Sequence, residues 1–256
     1  MHGSDCVVRH IVLHNHLFKN AGTSVDHILR QNFQERWIKR EFSDPHPGQT
    51  AEIAGWIQNN PDAIAFSSHT IQTVLPVMPD IRIIQIVMLR DPVERIVSAY
   101  RFEKTQISQT RGAQLARQNG FAGYVHALLQ TKGDRQCRNF QTRRLAALLS
   151  NASGNEISRA EHSASLIAQT GVLGLVSEFD AAMARLCAMI KPYYPAFDWH
   201  PVNANMSDRS TVQPISPDMR RILEDANRDD FRLLRHAQNI LSQASIGSVA
   251  AQRSGI

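Results

Sequence analysis

Cysteine is scarce in this chain, with three in 256 residues, at positions 6, 137 and 187. So few, in an odd and irregular set, cannot frame a disulfide-stapled fold; stability has to come from an apolar core, with the thiols reduced and structural. Long apolar runs are also missing. No segment approaches the ~20 residues of a membrane-spanning helix, and Met1–Asp5 carries no apolar signal region, so the expected setting is cytoplasmic. The excess of basic over acidic residues is modest, 28 against 23 for a net charge of +5. That suits a polyanionic ligand, and with no zinc-finger or RRM pattern a nucleic-acid partner is not expected. No Cys/His/carboxylate spacing completes a metal site around the His14 and His16 pair, which is read as buried or hydrogen-bonded structure. No repeat and no second core pattern occurs, so residues 1–243 read as one domain and the Ser/Ala/Gly-rich 244–256 as a poorly ordered tail.

What the chain does have is a strand pattern (Ile11, Val12, Leu13, Leu17) that runs into Phe18-Lys19-Asn20-Ala21-Gly22-Thr23-Ser24. An amphipathic helix pattern (Val25, Ile28, Leu29, Phe33) leaves that turn. The first N–H groups of a helix lack intrahelical acceptors and carry partial positive charge, so such a turn attracts anions. Ala21 and Gly22 allow close backbone approach, Thr23 and Ser24 add hydroxyls, and Lys19 adds a full charge. The loop binds phosphate in kind, yet it is not the G-x-x-x-x-G-K-[ST] of nucleotide kinases, because Lys19 precedes Gly22.

A second unit follows the same plan. Ile81 to Leu89 reads as a strand buried on both faces of a parallel sheet, and Arg90-Asp91-Pro92 leads into the helical pattern Val93 to Tyr100. Asp91 suits an N-cap and Pro92 the first helical turn. Arg90 then stands at a strand's C-terminal edge, where open α/β sheets bind ligands, with Ser98 two turns into the next helix. The expected fold is α/β, a P-loop-like three-layer arrangement with a central, mostly parallel sheet flanked by helices.

These residues resemble a known family. HLFKNAGTS looks like the 5′-phosphosulfate loop of sulfotransferases that use 3′-phosphoadenosine 5′-phosphosulfate (PAPS), and LRDPVERIVSAY is similar to their 3′-phosphate motif, an arginine followed eight residues later by a serine. K-x-A-G-T-S with R-D-P-V-x-R is most similar to the carbohydrate branch that contains the heparan sulfate 2-O- and 6-O-sulfotransferases and bacterial relatives. Weaker echoes continue at Asn139–Arg143, Gly174–Phe179, Asn227 and Asp230. The resemblance implies that Lys19 contacts the 5′-phosphosulfate with help from Asn20, Ala21, Gly22, Thr23 and Ser24, while Arg90 and Ser98 grip the 3′-phosphate. It also implies that Ser98 restrains the lysine, that 3′-phosphoadenosine 5′-phosphate (PAP) is the product, that no metal takes part, and that the acceptor is a hydroxyl of a glycan or glycoconjugate.

Transfer to a hydroxyl needs a base. Ala63–Ser68 is a short apolar strand ending at His69, in the interval where the family places its histidine, so His69 is the candidate. Two other readings share the architecture. One is a kinase using ATP and magnesium, with Asp91 as the nearest metal ligand, and the other a nucleotide-binding module without catalysis. Lys104, Arg111 and Arg117 are candidates to line an acceptor groove within an otherwise solvated insertion, and Asn205, Ser207 and Arg209 are candidates for adenine contact. Glu224, Asp225, Asp229 and Asp230 read as the wet face of one long terminal helix starting at Ser216-Pro217.

Overall fold

The computed structural model describes residues 8–43, 46–200 and 215–253. Five strands form its sheet: β1 (Arg9–Asn15), β2 (Trp37–Lys39), β3 (Ala65–Ser68), β4 (Ile81–Leu89) and β5 (Val172–Leu175). Their order is β2-β3-β1-β4-β5 and every pairing is parallel. With β1 in the middle, flanked by β3 and β4, the turns that leave these three strands share one edge of the sheet. Those turns carry Lys19, His69 and Arg90, so the topology gathers residues far apart in sequence at the crevice where such sheets take ligands.

Alternation along β1 and β4 divides the core. Ile11, Leu13, Val87 and Leu89 pack on one face, beneath α2 (Gln49–Gln58), α6 (Phe140–Ala147), α7 (Glu156–Thr170) and α10 (Arg228–Arg253). Val12, Ile84, Ile86 and Met88 point to the other, beneath α1 (Gly22–Phe33) and α8 (Phe179–Ile190). Both faces are buried because crossover helices must cover a parallel sheet on each side. A third cluster, with Val93, Ile96, Tyr124 and Leu223, joins α3 (Pro92–Thr105) to α5 (Phe121–Gln130) and α9 (Pro217–Ala226). Asp91 caps α3 as expected, accepting from the N–H groups of Val93 and Glu94 at 2.9 Å each.

Several elements differ from expectation. The connection over residues 36–61 holds β2 and α2, and α7 fills a stretch with no expected element. The segment expected to be a solvated insertion contains α4 (Arg111–Gln118), anchored by the fully buried Ala113 and Ala116. Cys137 is buried and Cys187 half-buried, both free, while Cys6 lies outside the described residues.

The terminal helix is broken at Asn227, and the break reassigns Asp230. Rather than facing water, Asp230 is 1% exposed and accepts from the Gln141 and Thr142 N–H groups at 3.1 and 2.7 Å and from the Thr142 hydroxyl at 2.8 Å. In return the Asn139 side-chain oxygen accepts from the N–H groups of Asp229 and Asp230 at 3.2 and 3.3 Å. The N-termini of α6 and α10 thus cap one another, each supplying the acceptor that the other's orphan amides require. Asp230→Ala strands three buried donors, so it should lower unfolding free energy by about 3 kcal/mol or more in urea titration; an exposed-carboxylate role would leave it within ~0.5 kcal/mol.

Candidate active site

The loop between β1 and α1 is built from left-handed turns. Lys19 and Ala21 have φ of 64° and 59°, conformations that L-residues adopt only when their surroundings enforce them. Asn20 does the enforcing: it is 1% exposed and its amide donates to the Met88 carbonyl and to Gln141 Oε1, both at 2.7 Å. Its side chain therefore braces the loop from within rather than facing a ligand. Ala21 precedes α1 with no side-chain cap, and among the described residues the N–H groups of Ala21, Gly22 and Thr23 have no acceptor. Ser24 donates its N–H to the Ala21 carbonyl at 3.0 Å, and its hydroxyl stays at the half-exposed rim beside exposed Thr23.

Gln141 ties this loop to the second motif. It accepts from the Arg90 N–H at 2.9 Å and donates to the Arg90 carbonyl at 2.8 Å. The Arg90 guanidinium reaches the Lys19 carbonyl at 3.3 Å and pairs with Glu94 at 3.4 Å. Lys19 Nζ lies 4.4 Å over the ring of Phe102, itself edge-on to Phe18. Burial and then the neighbouring Arg90 charge push the Lys19 amine down from its usual value, as two cations converging on one point should. Ser98 is half-buried one turn before Phe102, on the same face of α3. The structure therefore brings Lys19, Arg90 and Ser98 to the same crevice as the unpaired amides.

His69 follows β3 directly. Its N–H donates to Glu41 Oε2 at 2.9 Å, and Arg144 donates to its carbonyl. Its ring has no hydrogen-bond partner among the described residues but lies against His16, with centroids 3.6 Å apart. Burial, then the adjacent His16, pushes the His69 imidazole down to about 3, so in the ligand-free protein it is neutral at neutral pH.

Sequence reasoning missed Asp26. From the first turns of α1 its carboxylate reaches both strand histidines, His14 Nδ1 at 2.6 Å and His16 Nδ1 at 3.1 Å. His14 and His16 therefore do have a carboxylate between them, contrary to expectation, and these three are the described group whose donor atoms lie close enough to suggest a metal. The Nδ1 atoms are already spent on Asp26, which makes this a hydrogen-bonded triad. Periodicity does not distinguish Asp26 from a solvated helix residue; its distinguishing mark is tertiary, since His14 and His16 point from the even face of β1 toward α1.

The remaining candidates separate. Arg117 donates to the Gln106 and Ser108 carbonyls and so braces its own segment, Arg111 donates to the Thr131 hydroxyl just after α5, and Lys104 donates to the Tyr100 hydroxyl. Asn205, Ser207 and Arg209 lie outside the described residues. Asp91 is occupied in capping α3, which leaves the kinase reading without its nearest magnesium ligand.

Fold and site define an α/β protein with a helix N-terminus of unpaired amides, two neighbouring cations and a neutral histidine at the carboxyl edge of a parallel sheet. Residues 6–237 match the model of the family described as "Sulfotransferase family". The chain belongs to that family. It is also similar to an uncharacterised protein of Archaeoglobus fulgidus, 34% identical over 232 residues, which span 88% of this chain and 90% of that one.

One measurement follows from the environment of His69. Its depressed pKa predicts that, in the ligand-free protein, its ring signals in a proton NMR titration stay those of the neutral form from pH 8 down to 5, with protonation only near 3. A midpoint near 6.5 would mean that the ring is solvated rather than buried against His16.

Proposed function

We propose that this protein transfers a sulfuryl group from PAPS to a hydroxyl of a carbohydrate of the kind used by the heparan sulfate 2-O- and 6-O-enzymes, with His69 as base. The convergence of Lys19, Arg90 and the unpaired amides of Ala21, Gly22 and Thr23 is the observation that carries this reading. These groups fit a ligand with two separated anionic ends: the amides and Lys19 the 5′-phosphosulfate, Arg90 and Ser98 the 3′-phosphate. When bound, PAPS supplies the sulfuryl group and departs as PAP.

His69 takes the proton of the attacking hydroxyl as the new O–S bond forms. Lys19 leaves the face of Phe102 and, with the loop amides, meets the charge that gathers on the departing phosphate oxygen. Donors already aimed at developing charge are commonly the largest catalytic contribution. Arg90 presents a planar fork that stays charged at any working pH, which matches a terminal phosphate. A cytoplasmic setting agrees with the free cysteines and with the absence, among the described residues, of any helix long and apolar enough to cross a membrane.

Calorimetric titration with PAP, adenosine 5′-phosphate and ATP with magnesium tests the donor. PAP should bind tightest, and Arg90→Ala should weaken PAP by about 10- to 100-fold through loss of charge-assisted hydrogen bonds. Preference for ATP with magnesium would overturn the reading in favour of a kinase. Lys19→Ala should cut transfer by about 100-fold or more. His69→Ala should lose transfer while keeping PAP affinity; unchanged turnover there would remove His69 from the chemistry, and PAP binding without turnover on any acceptor would favour a non-catalytic module.

A further inference from the structure

The imidazole of His16 is held on three sides. On one, it lies against the backbone of Gly22 in the first turn of α1: a Cβ at position 22 would sit 1.9 Å from His16 Cδ2 and 2.0 Å from Nε2. On another, it meets the ring of His69 with centroids 3.6 Å apart. On the third, Nδ1 is bound to Asp26 Oδ2 at 3.1 Å, and the other oxygen of that carboxylate is fixed by His14 at 2.6 Å. His16 is 6% exposed, so it cannot meet an acceptor itself, whereas His69 in front of it is half-exposed.

We infer that His16, clamped by Asp26, is the spacer that sets the position of the His69 base relative to the anion-binding turn at Gly22, and that Asp26 supplies the remote negative charge behind that base. Both are positioning residues, and the assignment rests on the sulfuryl-transfer reading above. In-line displacement needs the base, the attacking oxygen and the sulfur in one register, and a shift of about 1 Å can cost on the order of 100-fold in rate. One rigid ring pressed between the turn and the base fixes that register directly.

The charge arrangement agrees with the geometry. An ionised carboxylate only accepts hydrogen bonds, so His14 and His16 each present an Nδ1–H to Asp26. Burial alone would raise the Asp26 carboxyl, yet the hydrogen bonds from His14 and His16 overcome it and hold it well below the usual carboxylate range. Burial likewise keeps His14 neutral. The triad then presents the charge of Asp26 behind His69. The other charged groups around His69 are Lys39, which opposes its protonation, Glu41, which pairs with Lys39 at 3.4 Å and binds the His69 N–H, and Arg144, which donates to the His69 carbonyl.

The test combines a spectrum and a rate. In proton–nitrogen correlation spectra of the ligand-free protein, His14 and His16 should both show the Nδ1–H tautomer. Asp26→Asn should lower kcat for PAP release from PAPS, with water or unsulfated chondroitin as acceptor, by about 100-fold, while PAP affinity stays within about twofold and Asp26→Glu restores part of the rate. A wild-type His16 protonated on Nε2 would overturn the inference without requiring any variant to fold. So would an Asp26→Asn enzyme of normal kcat, or activity lost to a chelator and restored by zinc, which would make the triad a metal site. Failure of the wild-type protein to bind PAP would instead sink the sulfotransferase function, leaving the tautomer measurement to judge the triad.

Discussion

The hydrogen bonds of Asn20 are the constraint on which the site depends. A non-glycine chain does not hold two left-handed residues within three positions on its own; the conformation persists because a buried amide is bound to the Met88 carbonyl and to Gln141. Gln141 holds both polar backbone groups of Arg90, and Asp230 holds Gln141 and Thr142. The Lys19 loop and the Arg90 turn are therefore parts of one buried polar network.

Around that network the fold separates rigid from responsive parts. The loop is braced by the Asn20 side chain and the Arg90 backbone by Gln141, whereas Lys19 rests on the face of Phe102, an attraction of about 1 kcal/mol at a partly exposed site. A contact of that size is weak enough for the amine to exchange it for another partner. The histidine side of the crevice is the opposite case, with His16 locked between Gly22, Asp26 and His69.

How much of this could be read from residues alone follows from the physics of each element. The strands that became β1 and β4 are apolar on both faces, and Asp91-Pro92 is an unambiguous helix start, so the central sheet and its two motifs were legible. Three-residue β2 is too short for alternation to register, and α7 buries mainly small residues, Ala160, Ser163 and Ala164 between Ile157 and Ile167, which carry little periodic contrast. Asp230 was misread because an unbroken helix through Asn227 places it beside Asp229 toward water; the break turns it inward, where Asn139 and Thr142 wait. Asp26 was invisible for a related reason, since the partners of a charged residue belong to tertiary structure and not to spacing.

The reciprocal capping of α6 and α10 also has a consequence in time. A ribosome working along this chain completes the Lys19 loop and the Arg90 motif well before Asp230 is made, yet Gln141 and Thr142 lack their acceptor until that residue arrives. The nascent protein therefore carries both anion-binding segments with neither fully braced. The last acceptor of that network comes from a helix that supplies neither the Lys19 loop nor the Arg90 turn.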